Sequence, residues 1–238
     1  MLISLWGERC LVLGHDFLEG KILDTTISNG PIPARTGKAR LGGSPIFFLN
    51  KRIFDIFMSL LLLPLLAVVA VFLLILNPFY NKGRLFYTQR RMGRDCQPFT
   101  ALKFRSMIDV AEISRDMDCP LEIDRITKLG GFMRKSRIDE LPQVINVLKG
   151  DMSLIGPRPD YYDHAVKFLN VVPGYRERHA VRPGISGLAQ TELGYIEGVE
   201  ATRRKVRADL IYIAKTNYRM EAWIFWRTLS VVVNRGGA

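Results

Sequence analysis

Cysteine and histidine are scarce in this chain of 238 residues, with three of each. Cys10, Cys96 and Cys119 are odd in number, far apart and without C-x-x-C spacing, which excludes a disulfide framework and leaves too few ligands for a structural zinc site. A reducing compartment fits this usage. His15, His164 and His179 are equally scattered, with no i, i+4 pair to grip a metal from a helix, and read as ordinary surface or partly buried residues. Acidic residues are also in deficit: 23 Asp+Glu stand against 34 Lys+Arg, a formal charge of +11. That surplus implies an anionic partner, whether nucleic acid, an anionic membrane surface or a phosphate-rich small substrate. A hydrophobic share of 48% rules out general disorder and suffices for one sizeable core.

Charge is wholly absent from Ile56 to Asn81, and MSLLLLPLLAVVAVFLLIL at 58–76 is almost wholly apolar. As a helix rising about 1.5 Å per residue it is long enough for a bilayer core of about 30 Å. Pro64 deletes a backbone hydrogen bond inside this run, which predicts a kink. Cations flank both ends: Arg35, Lys38, Arg40, Lys51 and Arg52 before, Lys82, Arg84, Arg90, Arg91 and Arg94 after. Cationic flanks stay on the cytoplasmic side, so a straight span satisfies one end only. A helix that enters, bends at the proline and returns to the same face satisfies both. The expected organisation is therefore a weakly structured, Gly/Pro-rich extension over 1–50, a re-entrant membrane helix over 51–81 and a cytoplasmic domain over 82–238.

Within that domain RLFYTQRRMG and QPFTALKFRSM, separated by Arg94-Asp95-Cys96 beside Gly93, read as a β-hairpin. Helical pieces follow between Ile108 and Arg134, interrupted by Pro120 and Gly130-Gly131. In RIDELPQVINVLKG at 137–150, Asp139 can cap a helix that tolerates Pro142 in its first turn, buries Leu141, Val144, Ile145 and Leu148 on one face, and stops at Gly150. DMSLIGPRPD and RPGISGLAQ read as loops without regular structure. A charged helix over 201–216 and an apolar one over 221–233 close the chain, the latter with Trp223 and Trp226 suited equally to a membrane boundary or a core.

Features suited to phosphate concentrate between Lys103 and Gln190. Lys103 and Arg105 leave a strand two residues apart, Arg134 and Arg137 precede the Asp139-Glu140 pair, and Arg158 and Arg182 sit beside prolines. A guanidinium on a rigid loop loses less entropy when it binds phosphate bidentately; taken singly, each arginine is equally readable as a solvated charge. Asp139 could attack phosphorus and form an acyl phosphate, and Glu140 could hold Mg2+; from the helix alone, a cap with a favourable first-turn acid explains the pair as well.

From about Lys51 onward the chain resembles the bacterial sugar transferases of the monotopic phosphoglycosyl transferase class. The resemblance rests on KRIFDIFMSLLLLP, QRRMGRDCQPFTALKFRSM, DRITKLGGFMRKSRIDELPQVINVLKGDMSLIGPRP, RPGISGLAQ and the late DLIYI. It implies a mainly helical α+β fold on the cytoplasmic face of the bacterial inner membrane, a re-entrant helix, and transfer of a sugar-1-phosphate from a UDP-sugar to undecaprenyl phosphate in exopolysaccharide, capsule, O-antigen or glycoconjugate synthesis. It implies Asp139 as nucleophile, Glu140 as its assistant, Mg2+ held by the pair, and Lys103, Arg134, Pro157 and Arg158 at substrate phosphates; Arg105 and Arg182 join them on the residue reading. Gln190 and Glu221 are candidate substrate contacts. The arginine that many relatives carry after L-A-Q is missing in the stretch Thr191–Tyr195. Competing readings are a non-catalytic scaffold of a polysaccharide assembly complex and a membrane-anchored nucleic-acid-binding module. The first is disfavoured by the intact carboxylate pair and the second by the lack of any helix-turn-helix or RNP-like signature. Nucleic acid is thus not an expected partner, whereas self-association into a homo-oligomer is left open.

Overall fold

The structure, a computed structural model, describes residues 41–81, 83–108, 123–193 and 198–233. The expectations for the extension before residue 41, for Cys10, His15, Cys119 and Pro120, and for the chain just after Leu193 lie outside the described residues.

The apolar run forms helix α1 (Pro45–Tyr80), which opens ahead of Lys51 because Ser44 caps it, its side chain accepting from Phe47 N at 3.1 Å, with Pro45 at the first helical position. The helix continues through Pro64 and Pro78. It buries one stripe, Asp55, Ser59, Leu66, Leu73 and Asn77, at helical spacing. Elsewhere it is bare: only 17% of its most apolar window is buried, and Ile46, Val68 and Phe79 are 69%, 67% and 76% exposed. Leaving such side chains in water costs about 1.5–3 kcal/mol each relative to burial, so a lipid environment, not a soluble core, explains this surface.

Both ends of α1 are tied to the rest of the fold. Near its start Lys51 pairs with Glu221, Arg52 donates to the carbonyls of Val147 and Leu148 at 2.7 and 3.2 Å, and Asp55 accepts from Ser153 Oγ at 2.7 Å and Leu154 N at 3.1 Å. At its finish Asn77 donates to Gly83 O and Asn81 to Arg105 O, each at 2.6 Å. In between, Leu66 and Leu73 pack with Phe104, Met133 and Val144.

Strands β1 (Phe86–Met92) and β2 (Pro98–Phe104) form the expected antiparallel hairpin, Phe86 opposite Phe104 and Met92 opposite Pro98. Beyond β2, Asn146 substitutes for a further strand: its side chain accepts from Leu102 N at 2.9 Å and donates to Thr100 O at 2.8 Å. Helix α2 (Lys128–Lys135) runs straight through Gly130-Gly131, contrary to the break expected there. Gly130 lies so close to the strand exit that a Cβ would meet Ser106 O at 1.9 Å, so packing rather than flexibility selects it.

Helix α3 (Gln143–Lys149) also differs from expectation, since Asp139 does not cap it. Asp139 and Glu140 lie in a preceding 3-10 turn, Ile138–Glu140, and Pro142 occupies the capping position. Pro142 has no N–H to offer Ile138 O, which accepts from Leu141 N instead, so the α ladder starts only after the proline. Gly150 ends α3 at φ 94°, as expected.

The stretches expected to lack regular structure hold β3 (Ser153–Ile155) and β4 (Gly184–Ser186), a parallel pair. Strands this short show no alternation to read, and their pairing depends on Gly156 and Gly184 meeting without side chains: a Cβ on Gly184 would fall 2.1 Å from Gly156 N. Helix α4 (Tyr162–Val171) packs Phe168 and Ala165 under the hairpin with Met92, Tyr175 and Val206. The short α5 (Leu188–Leu193), α6 (Val199–Lys215) and α7 (Tyr218–Val233) complete the fold around Ile155, Leu188, Tyr212 and Ile224. The two tryptophans divide the roles left open: Trp223 packs on that cluster and Trp226 is 52% exposed. The result is mainly helical with little sheet, in agreement with the expected α+β class.

Candidate active site

Three elements converge on Glu140. The 3-10 turn carries it, β2 brings Lys103, the loop after β3 brings Arg158, and Arg137 stands just ahead in the left-handed region at φ 58°. A non-glycine residue there is strained, and such strain tends to be stored at functional sites. Lys103 Nζ donates to Oε1 at 2.7 Å, and Arg158 forks onto both oxygens, Nη2 to Oε1 at 2.6 Å and Nη1 to Oε2 at 3.2 Å. Arg137 Nη1 adds an ion pair at 3.7 Å. Three cations thus enclose one buried carboxylate.

Its neighbour has the opposite environment. Asp139 is 7% exposed, and its Oδ1 is buried without a hydrogen-bond partner. Burial raises its pKa and the adjacent Glu140 adds to the rise, outweighing the attraction of Lys103, Arg158 and Arg134. Burial presses Glu140 upward too, but Arg158 and Lys103 overcome it and hold its carboxyl well below the usual carboxylate range. Burial also lowers the Lys103 pKa against the pull of Glu140, whereas Glu140 raises that of Arg158. Two adjacent carboxylates therefore have different environments: Glu140 is a fixed anion locked to cations, and Asp139 keeps one oxygen without a hydrogen-bond partner.

The remaining predicted site residues divide. Arg134 lies in the last turn of α2, where its charge reaches Asp139 and its Nη1 stands 3.7 Å from Met107 Sδ. Pro157 is buried at the root of the Arg158 loop, its carbonyl accepting from Gly184 N at 2.9 Å. Others serve the scaffold in this structure. Arg105 donates to Asn81 O at 2.5 Å, at the end of α1. Arg182 donates to Gly150 O at 2.9 Å and, with Arg52, closes the C-terminal end of α3. Glu221 joins α1 to α6 and α7, accepting from Lys51 and from Tyr212 at 2.5 Å each. Gln190 donates to Ile185 O at 3.3 Å and leaves its Oε1 unpartnered.

Mg2+ was expected on both carboxylates. The unpartnered Asp139 Oδ1 is the hard oxygen such an ion takes, and one carboxylate plus substrate phosphates is a usual set for it. Glu140 suits it less, because both its oxygens already face cations. Among the described residues no group of three or more His, Cys, Asp or Glu side chains is placed to enclose a metal.

Residues that spacing did not reveal include Asp55, Arg91, Asn146 and Arg178. Only Asp55 had a readable signal, a lone carboxylate at the head of an apolar helix. The others act across long sequence separations.

A buried carboxylate pair, one member of it held by three cations, beside a long helix with a bare apolar surface, defines a membrane-associated protein with a buried charged cluster. The chain matches the family described as bacterial sugar transferase over residues 46–235, and it belongs to that family. It is 38% identical over 200 residues to a UDP-N-acetylgalactosamine-undecaprenyl-phosphate N-acetylgalactosaminephosphotransferase of Aeromonas hydrophila, across 82% of this chain and 46% of that protein. It is 36% identical over 243 residues to a UDP-glucose:undecaprenyl-phosphate glucose-1-phosphate transferase of Caulobacter vibrioides, across 97% of this chain and 85% of that one. Identity to the exopolysaccharide production protein PSS of Rhizobium leguminosarum is 35% over 196 residues, 78% of this chain and 96% of the relative. The chain therefore spans less than half the length of the Aeromonas relative and most of the other two.

Proposed function

We propose that the protein transfers a sugar-1-phosphate from a UDP-sugar to undecaprenyl phosphate through a covalent intermediate on Asp139. The observation that carries the reading is the contrast inside the dyad, a cation-locked Glu140 beside an Asp139 whose Oδ1 is buried and unpartnered. In the first step the Asp139 carboxylate attacks the sugar-bearing phosphorus; the bond to the UMP oxygen breaks and its electron pair leaves with UMP. In the second, a phosphate oxygen of the polyprenyl carrier attacks the same phosphorus and frees the aspartate, leaving a polyprenyl diphosphate sugar. Lys103, Arg134 and Arg158 neutralise the charge that gathers on the transferring phosphoryl oxygens, while Glu140 holds Lys103 and Arg158 in place. Mg2+, held by Asp139 with substrate oxygens, would supply further charge neutralisation. Undecaprenyl phosphate appears in the names of the Aeromonas and Caulobacter relatives, which supports the choice of acceptor. A panel of UDP-sugars incubated with the purified chain and undecaprenyl phosphate tests the reading: UMP release with at least one sugar is expected, and release with none would overturn it.

The same reading places α1 as a re-entrant anchor in the inner membrane, with the site on the cytoplasmic face. Its support is that both ends of the helix bond to one domain, Arg52 and Asp55 at one end, Asn77 and Asn81 at the other, so a straight span would have to break the bonds at either end. A site at the surface also lets a soluble donor meet a lipid-borne acceptor. In a variant whose three cysteines are replaced by serine, single cysteines at Ser44 and Arg84 are expected to be shielded alike from an impermeant thiol reagent in spheroplasts. Labelling of one end alone would refute the re-entrant anchor.

A further inference from the structure

The stretch from Gly156 to Asp160 forms no helix or strand, yet its carbonyls are all engaged from Pro157 on. Pro157 O accepts from Gly184 N at 2.9 Å, Arg158 O from Arg178 Nη2 at 2.9 Å, Pro159 O from Arg91 Nη1 at 2.8 Å and Asp160 O from Met92 N at 3.1 Å. A loop pinned at four consecutive carbonyls has little freedom left, so the guanidinium it carries is delivered in one orientation.

Arg178 is the centre of this arrangement. It is 2% exposed, in the 3-10 turn Glu177–Ala180, and none of its bonds goes to Glu140 or Asp139. Besides Arg158 O, it donates to the Asp160 carboxylate, and its Nε donates to Asp209 Oδ2 at 2.8 Å. Asp160 also accepts from Tyr175 OH at 2.7 Å, and the Tyr175 ring lies 5.2 Å from the Arg178 guanidinium. Stability alone does not call for such a cluster. Desolvating one guanidinium and a carboxylate 1% exposed offsets most of their attraction, and apolar side chains of the same volume can do as well. What apolar side chains cannot do is hold a backbone carbonyl and the end of a loop at fixed points.

Resting on the transfer reaction proposed above, we infer that Arg178 is a positioning residue: by gripping Arg158 O and the Asp160 carboxylate it sets the Arg158 fork against Glu140. Lysine at 178 keeps the charge but cannot serve the carbonyl and both carboxylates at once.

The test is a double-mutant cycle on UMP release by the full-length, detergent-solubilised chain. Arg178→Lys is expected to lower kcat on the order of 10- to 100-fold, the scale of a misplaced catalytic group, with KM for undecaprenyl phosphate nearly unchanged. In an Arg158→Lys background the same substitution should cost less than about threefold, because the group it positions is already altered. A plain stability defect would not show that coupling. Asp209→Asn supplies the control, since it breaks the buried pair with Arg178 on the side away from the loop and should leave kcat within about threefold of wild type even though it lowers the melting temperature. Equal losses from Arg178→Lys in both backgrounds, or a loss no larger than that of Asp209→Asn, would overturn the inference. If Arg178→Lys does not accumulate as folded protein, Asp160→Asn takes its place in the cycle, with the same expected coupling and the same overturning result. Wild-type protein that releases no UMP sinks the reaction proposed above and the inference with it; wild-type turnover alongside Arg178→Lys at wild-type kcat sinks the inference alone.

Discussion

Asp139→Asn is expected to abolish UMP release, by about 10⁴-fold or more, as loss of a covalent nucleophile does, while leaving the protein as stable as before or more so. The two halves come from one feature. Asp139 is buried, its Oδ1 is unpartnered, and its pKa lies above the ordinary 3.8 because burial and Glu140 outweigh the nearby cations. A carboxyl whose folded pKa is raised supports the fold fully below its unfolded pKa, and that support is lost as pH rises through the folded value. At neutral pH the ionised Asp139 is therefore a liability to folding that a neutral asparagine removes. Thermal unfolding near neutral pH in EDTA-containing buffer should place Asp139→Asn at or above the wild-type midpoint. In the absence of acceptor, wild-type protein should retain label from a UDP-sugar labelled in the sugar, and the variant should not. Near wild-type turnover would remove Asp139 from the nucleophile's role, and a marked drop in melting temperature would show that the carboxylate is structurally satisfied after all.

That combination could not have been read from RIDELPQV by itself. Adjacent acids before an apolar face describe a capped helix as well as a reactive pair, and the cap reading fails because the pair folds into its own 3-10 turn, with Leu141 N bonded to Ile138 O and the α-helix opening only after Pro142. Features set by composition or local pattern were legible: the apolar α1, the hairpin and the stop at Gly150; the grouping of Lys103 and Arg158 with the dyad came from the family resemblance, since either cation alone reads as well as a solvated charge. Features set by tertiary approach were not. The three-residue strands β3 and β4 are too short to show alternation, and Gly130 looked like a break when it marks a close contact. Arginines were the least legible residues, because a guanidinium serves a phosphate, a carboxylate or a backbone carbonyl with the same fork. Arg105 and Arg182 close helix ends and Arg178 holds a loop, while Arg158, similarly placed beside a proline, reaches the site. Which partner each finds depends on elements distant in sequence.

Glu140→Gln should damage both activity and stability, the reverse of the Asp139 pattern in the second respect. Glutamine keeps the volume of Glu140 but leaves Lys103 at 2.7 Å and Arg158 at 2.6 Å without their shared counter-charge. Breaking a buried pair costs about 3–5 kcal/mol, and the lower end applies here because the Arg158 side chain is 32% exposed and can rehydrate. Release of the Arg158 fork and of Lys103 should lower kcat by about 100-fold, the scale of a misplaced charged group. The pH dependence distinguishes this account from a simple packing defect. The folded pKa of Glu140 lies well below the ordinary 4.5, so its contribution to stability is present in full above that value and is lost as pH falls through the depressed folded pKa. The gap in melting temperature between wild type and Glu140→Gln should therefore stay constant from neutral pH to about pH 5 and narrow below about 4.5, where the wild-type carboxylate begins to lose its advantage. A gap that stays constant into strong acid would assign the loss to packing, and a gap that widens there would contradict the sign of the interaction. Glu140→Asp separates charge from reach: it should recover much of the stability, because an anion again faces Lys103, yet remain slow, because the shorter side chain cannot accept the Arg158 fork in its original place.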